Sequence, residues 1–282
     1  MEATFVKLTF GLYLGAAVIY VLYAASRWER AGQVATAIAW LGLGANTAVL
    51  VARGITAGRV PYVTMYEYLT AFAWAVAAIY LIFEWRYSSA RADLRPAGSL
   101  ALLLAVGLLG YASSLSQEMK QAETLMPVLK SNWLIFHIFT AVVGYGAAGV
   151  ATALAVLYLA RSWWPGDQSW LRRLPAPPEL DQAAYRCIAF AFPFLALVNI
   201  TGAIWAYDAW GRYWGWDPKE TWSLITWLVY AFYLHARLRS GWRGAKVNWI
   251  AIVGFATIMF TFIGVSFLPT FSGSAHSYAG GS

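Results

Sequence analysis

Apolar residues in this chain come in long, nearly unbroken runs rather than at the alternating spacing of half-buried strands. An α-helix needs about 20 mostly apolar residues to cross a lipid bilayer. Eight runs approach that length: 3–25, 34–52, 65–85, 97–115, 133–159, 183–205, 222–238 and 247–268. The pattern predicts an all-α, polytopic membrane protein of about eight transmembrane helices, a single transmembrane domain over residues 1–282. The seventh run is short, but Asp217-Pro218-Lys219-Glu220 reads as an N-cap, a proline at the first helical position and a glutamate at the third, so its helix begins near Pro218. The first run is too long for a signal-peptide core and lacks a cleavage site, and is expected to be retained. The longest polar connections are 117–132 and 162–182, the second carrying a proline linker from Pro175 to Pro178.

Composition agrees with lipid as the main solvent. Residues are 60% hydrophobic and 12% charged with mean hydropathy +0.56, against roughly 25% charged in soluble domains. The net charge of +7 is not a nucleic-acid footprint, because the basic residues sit in connections between apolar runs. Thirteen lie on the side of Arg27, Arg86, Arg161 and Arg243, and seven on the side of Lys7, Arg59, Lys120 and Arg212. The positive-inside rule then puts both termini on the extracytoplasmic side. Cys187, the single cysteine, excludes an internal disulfide and dithiol chemistry.

The densest chemical signal is the segment from Trp205 to Trp222, with five tryptophans in 18 residues interleaved with Gly211 and Gly215. One reading is an interfacial aromatic belt. The other is a platform for a planar, hydrophobic, partly charged ligand such as a porphyrin, with the glycines admitting close backbone approach. Its core, 206–221, lies outside the membrane in this topology. Three histidines accompany it. His137 opens the fifth run one turn after Trp133, and His276 lies in the outer tail 269–282; imidazole is a common axial ligand of haem iron. His235 comes 13 residues after Trp222, about 20 Å along a helix, near the opposite face. Packing roles compete for His137, and a snorkelling role beside Arg237 and Arg239 competes for His235. Glu67 opens the third run, as a helix N-terminal charge or a partner for Arg53 or Arg59.

The motif Trp210-Gly211-x-x-Trp214-x-Trp216-Asp217-Pro-Lys-Glu-Thr-Trp222, followed by Thr226-Trp227, Tyr230 and Tyr233-Leu-His235-x-Arg237, resembles the tryptophan-rich WWD signature of haem-handling membrane proteins. More narrowly it is similar to the CcsA/ResC family of system II cytochrome c biogenesis. Asn132 to His137, Ser274 to Tyr278 and Pro61 to Glu67 resemble further family segments. Val63-Thr64-Met65 departs from the polar sequence of relatives, so no ligand role is expected there. The resemblance implies haem b as substrate and ligand, with His137 and His276 as axial ligands at an outer catalytic site. Trp210, Gly211, Trp214, Trp216, Asp217 and Trp222 would hold the porphyrin. His235 would bind haem at a transmembrane entry site, paired with a histidine of a ResB-type (CcsB) membrane partner. The implied reaction is attachment of haem to the Cys-x-x-Cys-His thiols of apocytochrome c, at the outer face of a bacterial inner (cytoplasmic) membrane. A haem transporter without ligation chemistry and a membrane electron carrier are the competing classes.

Overall fold

A computed structural model describes residues 2–26, 28–88, 93–120, 129–163 and 174–265. Among them are eight long helices and no strand: α1 (Glu2–Ser26), α2 (Glu29–Ala57), α3 (Met65–Tyr87), α4 (Ala97–Ser114), α6 (Asn132–Trp163), α7 (Pro177–Trp210), α8 (Pro218–Leu238) and α9 (Ala245–Met259). A single turn, α5 (Gln117–Lys120), precedes α6, and a π-helical turn, Phe260–Gly264, continues α9. Seven of the eight are long and apolar enough to cross a membrane; α8, which carries Lys219, Glu220, His235 and Arg237, is the exception. Helices satisfy their own backbone groups, which is why lipid selects them. The chain is a multi-pass membrane protein, with the helices where the apolar runs predict them.

One boundary differs from expectation. The Pro175–Pro178 stretch is not only a linker: Pro177 and Pro178 form the first turn of α7, where a missing N–H costs nothing and the fixed φ suits the helix. The tail 269–282 with His276 lies outside the described residues.

Within the bundle α3 is the most enclosed helix, with 72% of its spanning window buried against 28% in α1. The longest antiparallel pair is α6 with α7. Their 32 and 34 residues extend about 50 Å at 1.5 Å per residue, longer than the hydrocarbon core. Their ends therefore project beyond it. At one end the start of α6 meets the finish of α7 and the loops 58–64, 129–131 and 211–217.

Polar side chains inside the bundle are met by other helices. Near the start of α3, Glu67 is fully buried and accepts from Arg53 Nε and Arg59 Nη1, both at 2.9 Å, and from the backbone N–H groups of Val63 (2.7 Å) and Thr64 (3.2 Å). Both candidate arginine partners are thus engaged, and Thr64 completes a capping box. Near the other end of α3, Glu84 accepts from the hydroxyls of Tyr20 (2.8 Å), Thr36 (2.6 Å) and Tyr80. At that same end Arg237 of α8 is 2% exposed and pairs with Asp181 of α7 at 2.7 Å. Gln182 accepts from Arg237 at 3.2 Å, the guanidinium lies 4.6 Å from the Tyr185 ring, and Asn248 of α9 donates to Asp181 at 2.9 Å. Arg237 and Asp181 together therefore join three helices.

Arg237→Met should leave the Asp181 carboxylate buried without a cation and lower stability by about 3–5 kcal/mol. Combining it with Asp181→Leu should recover most of that loss. Thermal unfolding of the two variants in one detergent checks both outcomes.

Candidate functional site

The site begins where α6 and α7 meet. Ser131 donates to Asp208 at 3.2 Å and accepts from the Trp133 N–H at 3.2 Å, tying the first turn of α6 to the last turn of α7. One turn on, His137 faces α7, with Nδ1 3.0 Å from the Val198 carbonyl oxygen. A carbonyl only accepts, so Nδ1 carries the proton and the lone pair of the neutral ring belongs to Nε2. A carbonyl accepting from the other ring nitrogen orients many metal-binding imidazoles. The ring also lies nearly parallel to Trp205, with centroids 6.4 Å apart and planes 16° apart.

Gly202 makes this arrangement possible. A Cβ at that position would fall 2.9 Å from both Cε1 and Nδ1 of His137. Val198, Gly202 and Trp205 recur at helical spacing, so α7 presents an acceptor, a gap and an aromatic wall on one face. Trp205 is 2% exposed and packs with Tyr62, Leu129, Leu134 and Ile138. Tyr62 belongs to the loop whose backbone Glu67 holds, so that buried acid braces the far wall of the histidine seat.

Beyond α7 the tryptophan segment folds tightly. Gly211 ends the helix in the left-handed region (φ 71°) with its N–H on the Tyr207 carbonyl at 2.8 Å. Trp210 packs edge-on to Trp205 at 5.0 Å, Tyr213 stacks on Tyr207 at 4.5 Å, and Trp214 meets Trp216 perpendicularly at 5.6 Å. Trp216 itself has φ 56° and is 70% exposed. A bulky residue with positive φ is strained, at a cost of about 1–3 kcal/mol. Glu220 holds it there by accepting from the N–H groups on either side, Gly215 at 2.8 Å and Asp217 at 3.1 Å. Asp217 in turn accepts from the Lys219 N–H at 3.0 Å and caps α8, as its motif predicts. Burial pulls the Lys219 ammonium down to about 8, with Asp217 opposing the shift.

Of the residues the motif singles out, His137 and Trp210 therefore meet, through Trp205. Trp214 and Trp216 form a second unit, and Trp222 packs 4.3 Å from Phe260 on the turn after α9. Gly211 serves the backbone turn, and Gly215 gives room to Arg212. Only 211–217 of the expected 206–221 segment is loop; the rest continues α7 or begins α8. His235 lies at the opposite end on the exposed face of α8. Tyr233 and Arg237, two residues to either side, are 0% and 2% exposed and turn inward, which directs His235 outward. Val198, Gly202 and the second role of Glu220 escape a reading of the sequence. A lone helical glycine and a backbone carbonyl carry no motif.

Known proteins can be set against this geometry. The family model for cytochrome C assembly protein matches residues 62–272. The chain belongs to this family. Relatives named cytochrome c biogenesis protein CcsA include those of Synechococcus elongatus, 37% identical over 276 residues covering 82% of each chain, and Gloeobacter violaceus, 32% identical over 326 residues covering 95% of this chain and 93% of the relative. The CcsA of Trieres chinensis is 33% identical over 308 residues, covering 96% and 95%. Among solved structures, cytochrome c haem lyase CcmF superposes with TM-score 0.69 at 18% identity, over 93% of this chain. This chain spans 46% of that structure's length, and the likeness is one of fold.

Trp216→Gly should keep or raise thermal stability, by up to about 1 kcal/mol, because glycine adopts positive φ without strain. Glu220→Ala should lower it by about 1–2 kcal/mol through loss of two backbone acceptors. Melting curves of the two variants beside wild type give the opposite signs if Glu220 holds the strained turn.

Proposed function

We propose that this family member handles haem at the outer face of a bacterial inner membrane and attaches it to the reduced Cys-x-x-Cys-His thiols of apocytochrome c, acting with a ResB-type (CcsB) membrane partner. The observation that carries this reading is the seat of His137. Its Nδ1–H is anchored on the Val198 carbonyl, so that Nε2 is the nitrogen that would meet iron, its ring is seated between α6 and α7, and the aromatic turn begins at the same end of the bundle. That donor set suits haem as a substrate, with an imidazole for iron and indole faces for a porphyrin.

The proposed chemistry asks little of the protein beyond placement. A substrate thiol adds across a haem vinyl group: a carbon–sulfur bond forms at one vinyl carbon and the proton is delivered to the other, with no net oxidation. Holding two reactants in one orientation lowers such a barrier by several kcal/mol. No protein nucleophile is needed, and Cys187, wholly buried within α7, supplies none. His276 is the proposed second axial ligand. The incoming histidine of the apocytochrome would displace one of the two, so that release follows attachment. The outward face of His235 on α8 supports its pairing with a residue outside this chain. In this orientation both termini and the tryptophan turn face the periplasm.

His137→Ala should lower haem occupancy of the outer site about tenfold, with partial rescue by free imidazole. Gly202→Ala should reproduce the loss by displacing the ring, although it removes no ligand. Unchanged absorption spectra in both variants would take His137 off the iron.

Reconstitution of the chain with its partner, haem and reduced apocytochrome separates the proposed synthase from a transporter. Covalent haem on the substrate, lost in His137→Ala and supplied poorly in His235→Ala, is the expected result. Haem movement across the membrane without thioether formation would leave transport as the function.

A further inference from the structure

The turn 211–217 carries hydrogen-bond donors that its own acceptors do not meet. Three carboxylates lie within eight residues of Arg212, and each is engaged elsewhere. Asp208 accepts from Ser131, Asp217 caps α8, and Glu220 accepts from two backbone N–H groups. The indole N–H of Trp214 is buried and finds no acceptor, a costly state that native structures avoid unless a ligand or water supplies one. The Arg212 guanidinium is exposed and makes no ion pair or hydrogen bond to another described residue.

Arg212 folds back on its own turn. Its guanidinium folds over Gly215, so close that a Cβ there would fall 2.7 Å from Cζ and 2.8 Å from Nε and Nη2. The guanidinium thus packs on Gly215, the residue between Trp214 and Trp216, on a turn whose shape Glu220 and the cap of α8 brace. A planar fork of donors with no partner among the described residues is one half of a bidentate carboxylate contact.

We propose that Arg212 receives a carboxylate of a porphyrin dicarboxylate, with the Trp214 N–H as a second donor beside it. This rests on the haem reading above and adds a polarity to it. The acidic edge of the ligand lies along the 211–215 side of the turn, and the opposite, vinyl-bearing edge is left to the thiols. Glycine at 215 is then a specificity device, because it sets where the guanidinium stops.

The test compares binding of iron protoporphyrin IX and its dimethyl ester to the full-length chain in detergent, by absorption titration. Wild type should prefer the diacid about tenfold, the scale of one exposed charge-assisted contact. Arg212→Gln should abolish the preference by weakening the diacid alone. Gly215→Ala should do the same, since its backbone tolerates alanine and only the flexible end of Arg212 must move. An undiminished preference in Arg212→Gln, or an equal loss for both porphyrins, overturns the assignment while leaving the haem reading intact. Failure of wild type to bind either porphyrin overturns the haem reading, and this inference with it.

Discussion

Lipid gives a carboxylate, a guanidinium or an imidazole neither a hydrogen bond nor a screening dielectric, so each one carried into the bundle must be met by another part of the same chain. The meeting points also fix the helices relative to one another. Glu67 draws Arg53 from the end of α2, Arg59 from the following loop and two backbone N–H groups onto the start of α3. Glu84 joins α1, α2 and α3 through three hydroxyls, and Arg237 joins α8 to α7 through Asp181. Between these nodes most of the packing is apolar and by itself non-directional, with single polar pairs such as Ser223 on Asn199 and Thr226 on Thr257.

The candidate site depends on that frame. His137 reaches the Val198 carbonyl because α6 and α7 run side by side along most of their length and because Gly202 leaves the gap. Tyr62 closes the far side only while Glu67 holds its loop. In the tryptophan turn the logic is reversed. There the chain keeps a strained Trp216, a buried indole N–H without an acceptor and a desolvated lysine, on a turn braced by Glu220 and the cap of α8. Strain maintained by surrounding contacts is a frequent mark of a working surface. The rigid seat and the strained turn belong to one end of one bundle, because α7 ends in the turn that begins one residue after Trp210.

The fold likeness to CcmF at 18% identity is what this division permits. The bundle needs matched polar pairs and apolar surfaces of the right length, which many sequences provide. The chemistry is confined to a few positions near one end.

The eight runs, the cap at Asp217 and the membrane setting were legible in the sequence, because each follows from local composition or from neighbours within four residues. His137 and the tryptophans were legible as residue types suited to a flat, metal-bearing ligand. What the tertiary structure decided was who meets whom. Glu67 engages both arginines rather than one, Arg237 is buried while His235 two residues earlier faces out, and the tryptophans divide into separate groups about Trp205, Trp214 and Phe260. The tautomer of His137 and the need for Gly202 also come from three dimensions alone. The reason is physical. A carbonyl acceptor and a missing Cβ leave no trace in the pattern of side chains, and an ion pair in lipid is set by which helices pack together, which a linear order of apolar runs does not specify.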